Sequence, residues 1–153
     1  MLEAAATRVV ELPDLAATEA LAASVARLAR AGDVILLEGE LGAGKTAFAR
    51  AFLRSATGNP ALEVPSPTFT LVQRYDTPAG PVQHFDLWRL PGPDSLTELG
   101  WEEARDDIVL VEWPDRLGSL RPADALTVVL LATGPDSRRA TLSGWPDRLG
   151  GFG

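Results

Sequence analysis

The sequence predicts an α/β protein: a mixed, largely parallel sheet with helices on both faces. Three observations carry this. Two four-residue apolar runs, Val34-Ile35-Leu36-Leu37 and Ile108-Val109-Leu110-Val111, read as strands buried on both sides, as strands of a parallel sheet are. A glycine-rich loop, Gly39 to Thr46, follows the first run at once. Helical patterns precede the first run and follow the loop.

Taken in order, Arg8 to Leu12 predicts a short edge strand, and Pro13-Asp14 turns the chain. A helix follows from Thr18, with Leu21, Val25 and Leu28 at helical spacing and alanines between them. Asp14 or Thr18 would cap its start, and Gly32 stands where a helix C-terminal glycine belongs. After the first apolar run and its loop, Ala43 to Ala56 predicts a helix stopped by Gly58-Asn59-Pro60. Val64 to Tyr75 favours extended structure. Pro78-Ala79-Gly80-Pro81 is a turn, and Val82 to Leu90 a strand that pairs with it as a hairpin. Asp94 to Arg105 predicts a helix. The second apolar run ends in Glu112, and Leu126 to Ala132 with Ala140 to Ser143 supply the closing strands.

A length of 153 residues fits one domain with a hydrophobic core. The expected division is a single domain over 1–143 and a glycine-rich C-terminal tail over 144–153. Charged residues make up 23% of the chain and hydrophobic ones 46%, which places it among ordinary globular proteins. The net charge of −7 argues against a chain that grips nucleic acid by itself. The best basic pair, Arg138 with Arg139, reads as solvated. No apolar run reaches membrane-spanning length, Met1 to Leu12 lacks a signal-peptide pattern, and there is no cysteine for disulfides or thiolate metal sites. The expectation is a cytoplasmic protein without a membrane partner. One repeat stands out: Trp113-Pro114-Asp115-Arg116-Leu117-Gly118 recurs as Trp145-Pro146-Asp147-Arg148-Leu149-Gly150. Two copies of six residues make no solenoid. The second reads as a copied tail, or as a mimic competing for the place of the first.

Gly39-Glu40-Leu41-Gly42-Ala43-Gly44-Lys45-Thr46 matches G-x-x-x-x-G-K-[ST] between a buried strand and a helix, the context that gives the motif its force. The fold is therefore P-loop NTPase-like, and ATP or ADP with Mg²⁺ is the expected ligand. The glycines let backbone N–H groups wrap phosphate, and the following helix adds its positive end. Lys45 supplies charge to the β- and γ-phosphates, and Thr46 a hydroxyl to magnesium. Lys45 is the only lysine among 14 basic residues. In a chain that otherwise uses arginine, this suggests a site where arginine's planar fork would not fit.

A P-loop also needs an acidic residue at the end of a neighbouring strand. Glu112 ends the second apolar run, at the edge where α/β sheets bind ligands, and is expected to coordinate magnesium or activate water. Asp86 is the second acidic candidate. Thr68 reads as a switch residue reaching the γ-phosphate, or as a β-branched strand residue. His84, the sole histidine, reads as packed or hydrogen-bonded rather than as a metal ligand. Arg89 reads as a partner of Asp86, or as a phosphate contact. Trp101 reads as a core or interface aromatic, and Trp113, next to Glu112, as a nucleotide contact or a core aromatic.

The loop, Ser66-Pro67-Thr68-Phe69-Thr70-Leu71-Val72, His84-Phe85-Asp86-Leu87-Trp88-Arg89-Leu90, Glu98-Leu99-Gly100 and Val111-Glu112-Trp113-Pro114 occur in this order. Together they resemble the TsaE family, the ATPases of bacterial tRNA threonylcarbamoyladenosine synthesis, over roughly residues 5 to 143. Trp88 stands where tyrosine is usual. The resemblance implies a nucleotide loop of Leu41, Gly42, Ala43, Gly44, Lys45 and Thr46. It implies magnesium-linked positions at Thr46 and Glu112, a switch segment at Thr68 and a second acid at Asp86. Asp115 and the loop near Ser137 would lie close to the nucleotide. The implied partners are the TsaB and TsaD proteins, with tRNA reached only through the complex. The chain would be a Mg-dependent ATPase, weak alone and partner-stimulated, driving turnover of that complex.

Rival readings are a small-molecule kinase, a GTPase and a non-catalytic nucleotide sensor. A kinase needs lid arginines, for which Arg116, Arg121 and Arg138 are the candidates. A GTPase needs N-K-x-D, and the only asparagine, Asn59, does not form it.

Overall fold

A computed structural model describes residues 7–40, 42–65 and 71–149. Leu41, Thr68 and the rest of 66–70 lie outside the described residues. Among the described residues, seven strands form one sheet: β1 (Thr7–Leu12), β2 (Val34–Glu38), β3 (Val72–Thr77), β4 (Gly80–Asp86), β5 (Ile108–Glu112), β6 (Leu126–Ala132) and β7 (Arg138–Ser143). Their order across the sheet is β1-β7-β6-β2-β5-β4-β3. The centre is parallel, β2 pairing with β5 and β6, and β4 with β5. The margins are antiparallel. The predicted α/β class is what the structure shows.

The two apolar runs sit at the centre, where strand alternation sends their side chains to two separate cores. Ile35, Leu37, Ile108 and Leu110 pack beneath α1 (Leu15–Leu28) and α2 (Lys45–Thr57). Val34, Leu36, Val109 and Val111 pack on the opposite face with Phe85, Leu96, Trp101 and Leu117. That second face is covered by a 3₁₀ helix over Pro93–Leu99, by α3 (Trp101–Ala104) and by a second 3₁₀ helix over Pro114–Leu120. Among the described residues, no helix is long and apolar enough to cross a membrane.

Several expected boundaries move, each for a local reason. Asp14 caps α1, its carboxylate accepting from the Ala17 N–H at 2.9 Å, so the helix starts at Leu15 and Thr18 lies buried within it. The helix expected over Asp94 to Arg105 is broken at Gly100, whose left-handed conformation (φ 78°) ends one helical piece and starts the next. The strand expected to run to Leu90 stops at Asp86.

The segment from Gly144, expected to be a tail, is part of the domain as far as Leu149. Trp145 and Leu149 are 4% and 1% exposed and join the core under α1 and α2. The Arg148 guanidinium donates to both Asp33 carboxylate oxygens, at 2.6 and 3.0 Å, and to the Leu28 carbonyl at 2.9 Å. As far as their leucines the two repeat copies turn alike. In each, a left-handed tryptophan (φ 60° at Trp113, 46° at Trp145) leads into a tight turn that returns a leucine, Leu117 or Leu149, to a core. They sit at opposite ends of the sheet, because β5 runs with β2 while β7 runs against β6. The second copy thus has its own seat beside Asp33 and Leu28.

Candidate functional site

The site begins where β2 ends. Gly39 leaves the strand at φ 149°, and a Cβ there would lie 2.6 Å from the Leu130 carbonyl oxygen of β6. Only glycine lets the chain pass so close to that strand and turn into the loop. The loop delivers the chain to α2 with Gly44 at the cap position, where no side chain competes for the helix's first amides. Those amides and the positive end of the helix are what an anion would meet.

Lys45, on the first turn of α2, is 5% exposed. Its ammonium donates to the Gly39 carbonyl and, at 3.3 Å, to the Glu40 carbonyl. The Trp113 ring lies 3.5 Å from Nζ, a cation–π contact. Burial lowers the lysine pKa from 10.5, and the charges of Glu112, Asp86 and Asp115 act against that shift. Trp113 reaches this position through its left-handed backbone (φ 60°, ψ 54°), uncommon for a bulky residue.

The acidic partners come from the two strands next to β2 on one side. Glu112 is the last residue of β5, beside Leu37 of β2 in register, and only 2% exposed. Its Oε1 accepts from the Thr46 hydroxyl at 3.1 Å, and its Oε2 lies 2.7 Å from His84 Nε2. Asp86 of β4 stands directly opposite Glu112, and its carboxylate accepts from the Trp88 N–H at 3.0 Å. His84, Asp86 and Glu112 thus share the sheet face that α2 covers.

Between these groups lies a cavity of about 410 Å³ lined by Gly42, Gly44, Lys45, Thr46, Ala47, Asp86, Trp88, Arg89, Glu112 and Trp113. Trp88 leans on Trp113 at its rim, ring centroids 4.3 Å apart. A neighbouring hollow of about 320 Å³ shares Gly44 and Ala47 and is otherwise lined by Asp14, Leu15, Thr18, Pro135, Asp136 and Arg138. Of the residues predicted from sequence, Gly42, Gly44, Lys45, Thr46, Asp86, Glu112 and Trp113 meet in the first cavity. Ser137 stands apart, in the β6–β7 hairpin beside the second hollow, its Oγ accepting from the Thr133 hydroxyl at 2.8 Å. Asp115 is exposed, 3.9 Å from Arg116, and acts on Lys45 only through its charge.

Two residues have a larger part than their sequence reading gave them. Arg138, expected to be solvated, donates to the Ala43 and Gly42 carbonyls of the loop at 3.1 and 3.3 Å and to its own hairpin at Gly134 and Ser137. It braces the loop from outside, while Arg139 pairs with Glu11 at 2.5 Å. No spacing in the sequence signals this, because the contact joins residues about 95 positions apart. His84 did carry a signal. With Asp86 two residues on, it must share that residue's face of the strand.

A hard divalent cation takes oxygen ligands, often one or two carboxylates with substrate phosphates completing the shell. The Thr46 hydroxyl and Glu112 carboxylate fit that role. Among the described residues no cluster of three or more His, Asp or Glu side chains stands ready to hold a metal, so the rest of such a shell would come from phosphate and water.

The sequence model of the family described as "Threonylcarbamoyl adenosine biosynthesis protein TsaE" matches residues 12–140. Two similar proteins bear the name tRNA threonylcarbamoyladenosine biosynthesis protein TsaE. The one from Bacillus subtilis is 36% identical over 128 residues, 82% of this chain and 78% of that protein. The one from Rickettsia felis is 40% identical over 99 residues, 64% of this chain but only 57% of its own length. The crystal structure of Bacillus subtilis YdiB superposes with a TM-score of 0.73 at 28% identity, covering 96% of this chain and 91% of that one. With the family matched across most of its length, this chain belongs to the TsaE family.

Proposed function

We propose that the chain binds ATP with Mg²⁺ and hydrolyses it as the nucleotide-driven component of the tRNA threonylcarbamoyladenosine machinery, in the cytoplasm. There it would drive turnover of a complex of the TsaB and TsaD proteins, and meet tRNA only through them. The observation that carries this reading is the contact between Glu112 and Thr46 at the mouth of the loop, beside the buried Lys45.

The triphosphate takes the larger cavity and the base the neighbouring hollow by Asp136 and Arg138. The Lys45 ammonium, now held by its own loop's carbonyls and the Trp113 face, moves to the β- and γ-phosphate oxygens, and the loop amides turn to the same oxygens. Thr46 and Glu112 would hold the cation, which would supply charge neutralisation at the phosphates. Glu112 would order either the magnesium shell or the attacking water, with Asp86 facing it across the strand pair. Thr68 senses the γ-phosphate and passes its loss to a partner. The net charge of −7 fits a division of labour in which partners hold the RNA.

The kinase reading loses its lid. Arg121 pairs with Glu38 at 3.0 Å, Arg138 with the loop carbonyls, and Arg116 lies beside Asp115. The test is ATP hydrolysis by the purified chain, alone and with purified TsaB and TsaD proteins. The expected result is a slow rate that the partners raise and chelation of magnesium abolishes. A rate indifferent to the partners would overturn the assignment to turnover of their complex.

Arg138→Ala frees the loop from its outer brace. Loss of hydrogen bonds from a charged donor costs about 1.5–3 kcal/mol, so nucleotide affinity should fall roughly tenfold while the slope of thermal melting stays two-state. Calorimetric titration of ADP reads this directly.

A further inference from the structure

His84 lies in the middle of β4, opposite Leu110 of β5, and is fully buried. An apolar side chain would be the cheaper occupant of such a place, because a buried polar ring must find partners for its nitrogens. One nitrogen has found none: among the described residues, Nδ1 is buried without a hydrogen-bond partner. Among the described residues, the ring's one polar contact is Nε2 to Glu112 Oε2 at 2.7 Å. Its polar character is therefore spent on one carboxylate. That carboxylate is the one whose other oxygen meets the Thr46 hydroxyl at 3.1 Å.

The strand register explains the placement. Glu112 lies two residues past Leu110 on the same face, so His84 reaches it diagonally from one side while Asp86 stands directly opposite. A glutamate side chain has several staggered rotamers to choose among. The ring pins one oxygen and leaves the other aimed at Thr46.

We infer that His84 is a positioning residue: its Nε2–H donates to Glu112 and holds that carboxylate in the rotamer that, with Thr46, receives the magnesium ion of the bound nucleotide. The inference rests on the Mg–ATP reading above. Partners of ligating groups commonly control metal affinity by about 10- to 100-fold when removed. The effect expected here falls on the cation and not on the nucleotide alone, since His84 lines neither the phosphate cavity nor the neighbouring hollow.

Three proteins test it: the wild type, His84→Leu and His84→Gln, the last placing an amide N–H near where Nε2 stands. Affinity for ADP in excess chelator should be unchanged within about threefold in all three. The magnesium concentration that half-saturates the magnesium-dependent tightening of ADP binding should rise about tenfold or more in His84→Leu, and return most of the way in His84→Gln. A second readout needs no nucleotide. His84 is the only histidine, so its ring ¹⁵N signals are assigned without ambiguity. They should show Nε2 protonated, and Glu112→Gln should move them. An unprotonated Nε2, or a His84→Leu protein with normal magnesium dependence, would overturn the inference. So would equal loss in the Leu and Gln variants, which would mark His84 as packing alone. A wild type whose ADP binding ignores magnesium would overturn the Mg–ATP reading itself, and the positioning role with it.

Discussion

Glu112→Gln is expected to bind nucleotide in excess chelator within about threefold of the wild type and, with magnesium present, to lose turnover by about 10²–10³-fold, the size of effect that follows removal of one preorganised electrostatic group, roughly 2.7–4 kcal/mol. The substitution keeps the volume of a side chain that is only 2% exposed, so packing is conserved. What changes is charge and hydrogen-bond sense. In the wild type both carboxylate oxygens accept, one facing Thr46 and one facing His84. An amide has one acceptor and one donor. If its oxygen keeps the His84 contact, its NH₂ faces the Thr46 hydroxyl and engages the lone pair that the cation needs. If it flips, NH₂ meets the imidazole N–H and repels it. Either way the water-ordering charge is gone. Lys45→Ala should behave differently, losing affinity and turnover together, because the ammonium meets the phosphates before reaction begins. Binding and single-turnover hydrolysis, measured side by side on the two variants, separate these outcomes. Normal turnover in Glu112→Gln would remove it from the mechanism.

Much of this site was legible because its parts are local or obey strand alternation. The loop from Gly39 to Thr46 sits in eight consecutive residues. Glu112 announces itself as the polar end of an apolar run, and the structure puts it 3.1 Å from Thr46 although 66 positions separate them. Asp86 follows from its strand. What escaped depends on contacts that no periodicity encodes. Arg138 reaches the loop carbonyls only because β7 folds back beside β6. Gly100 breaks a stretch whose composition favours one continuous helix. The turn after Gly144 has too few residues to show a period, and its pairing with Asp33 and Leu28 comes from the far end of the sheet. In each case tertiary contact decided what local preference left open.

That last segment carries a large expected stability effect. Trp145→Ala removes a large ring that is 4% exposed and packed in the core beneath α1 and α2. Truncating a buried aromatic of this size costs about 3–5 kcal/mol, which lowers the melting temperature of a domain of this length by roughly 10 °C. The ring also seats Arg148, whose guanidinium lies 3.9 Å from the ring centroid while it grips Asp33. Losing the ring therefore loosens an ion pair as well as opening a cavity. Trp145→Phe should cost far less, because among the described residues the indole N–H is buried without a partner and its removal relieves that penalty. The proposed nucleotide site is at the opposite end of the strands, so ADP affinity at low temperature should be unchanged in both variants. Deleting residues 144–153 should match Trp145→Ala or exceed it in thermal melting. If the deletion instead melts like the wild type, the segment from Gly144 is the separable tail that its composition suggested, and the buried ring contributes nothing to the fold.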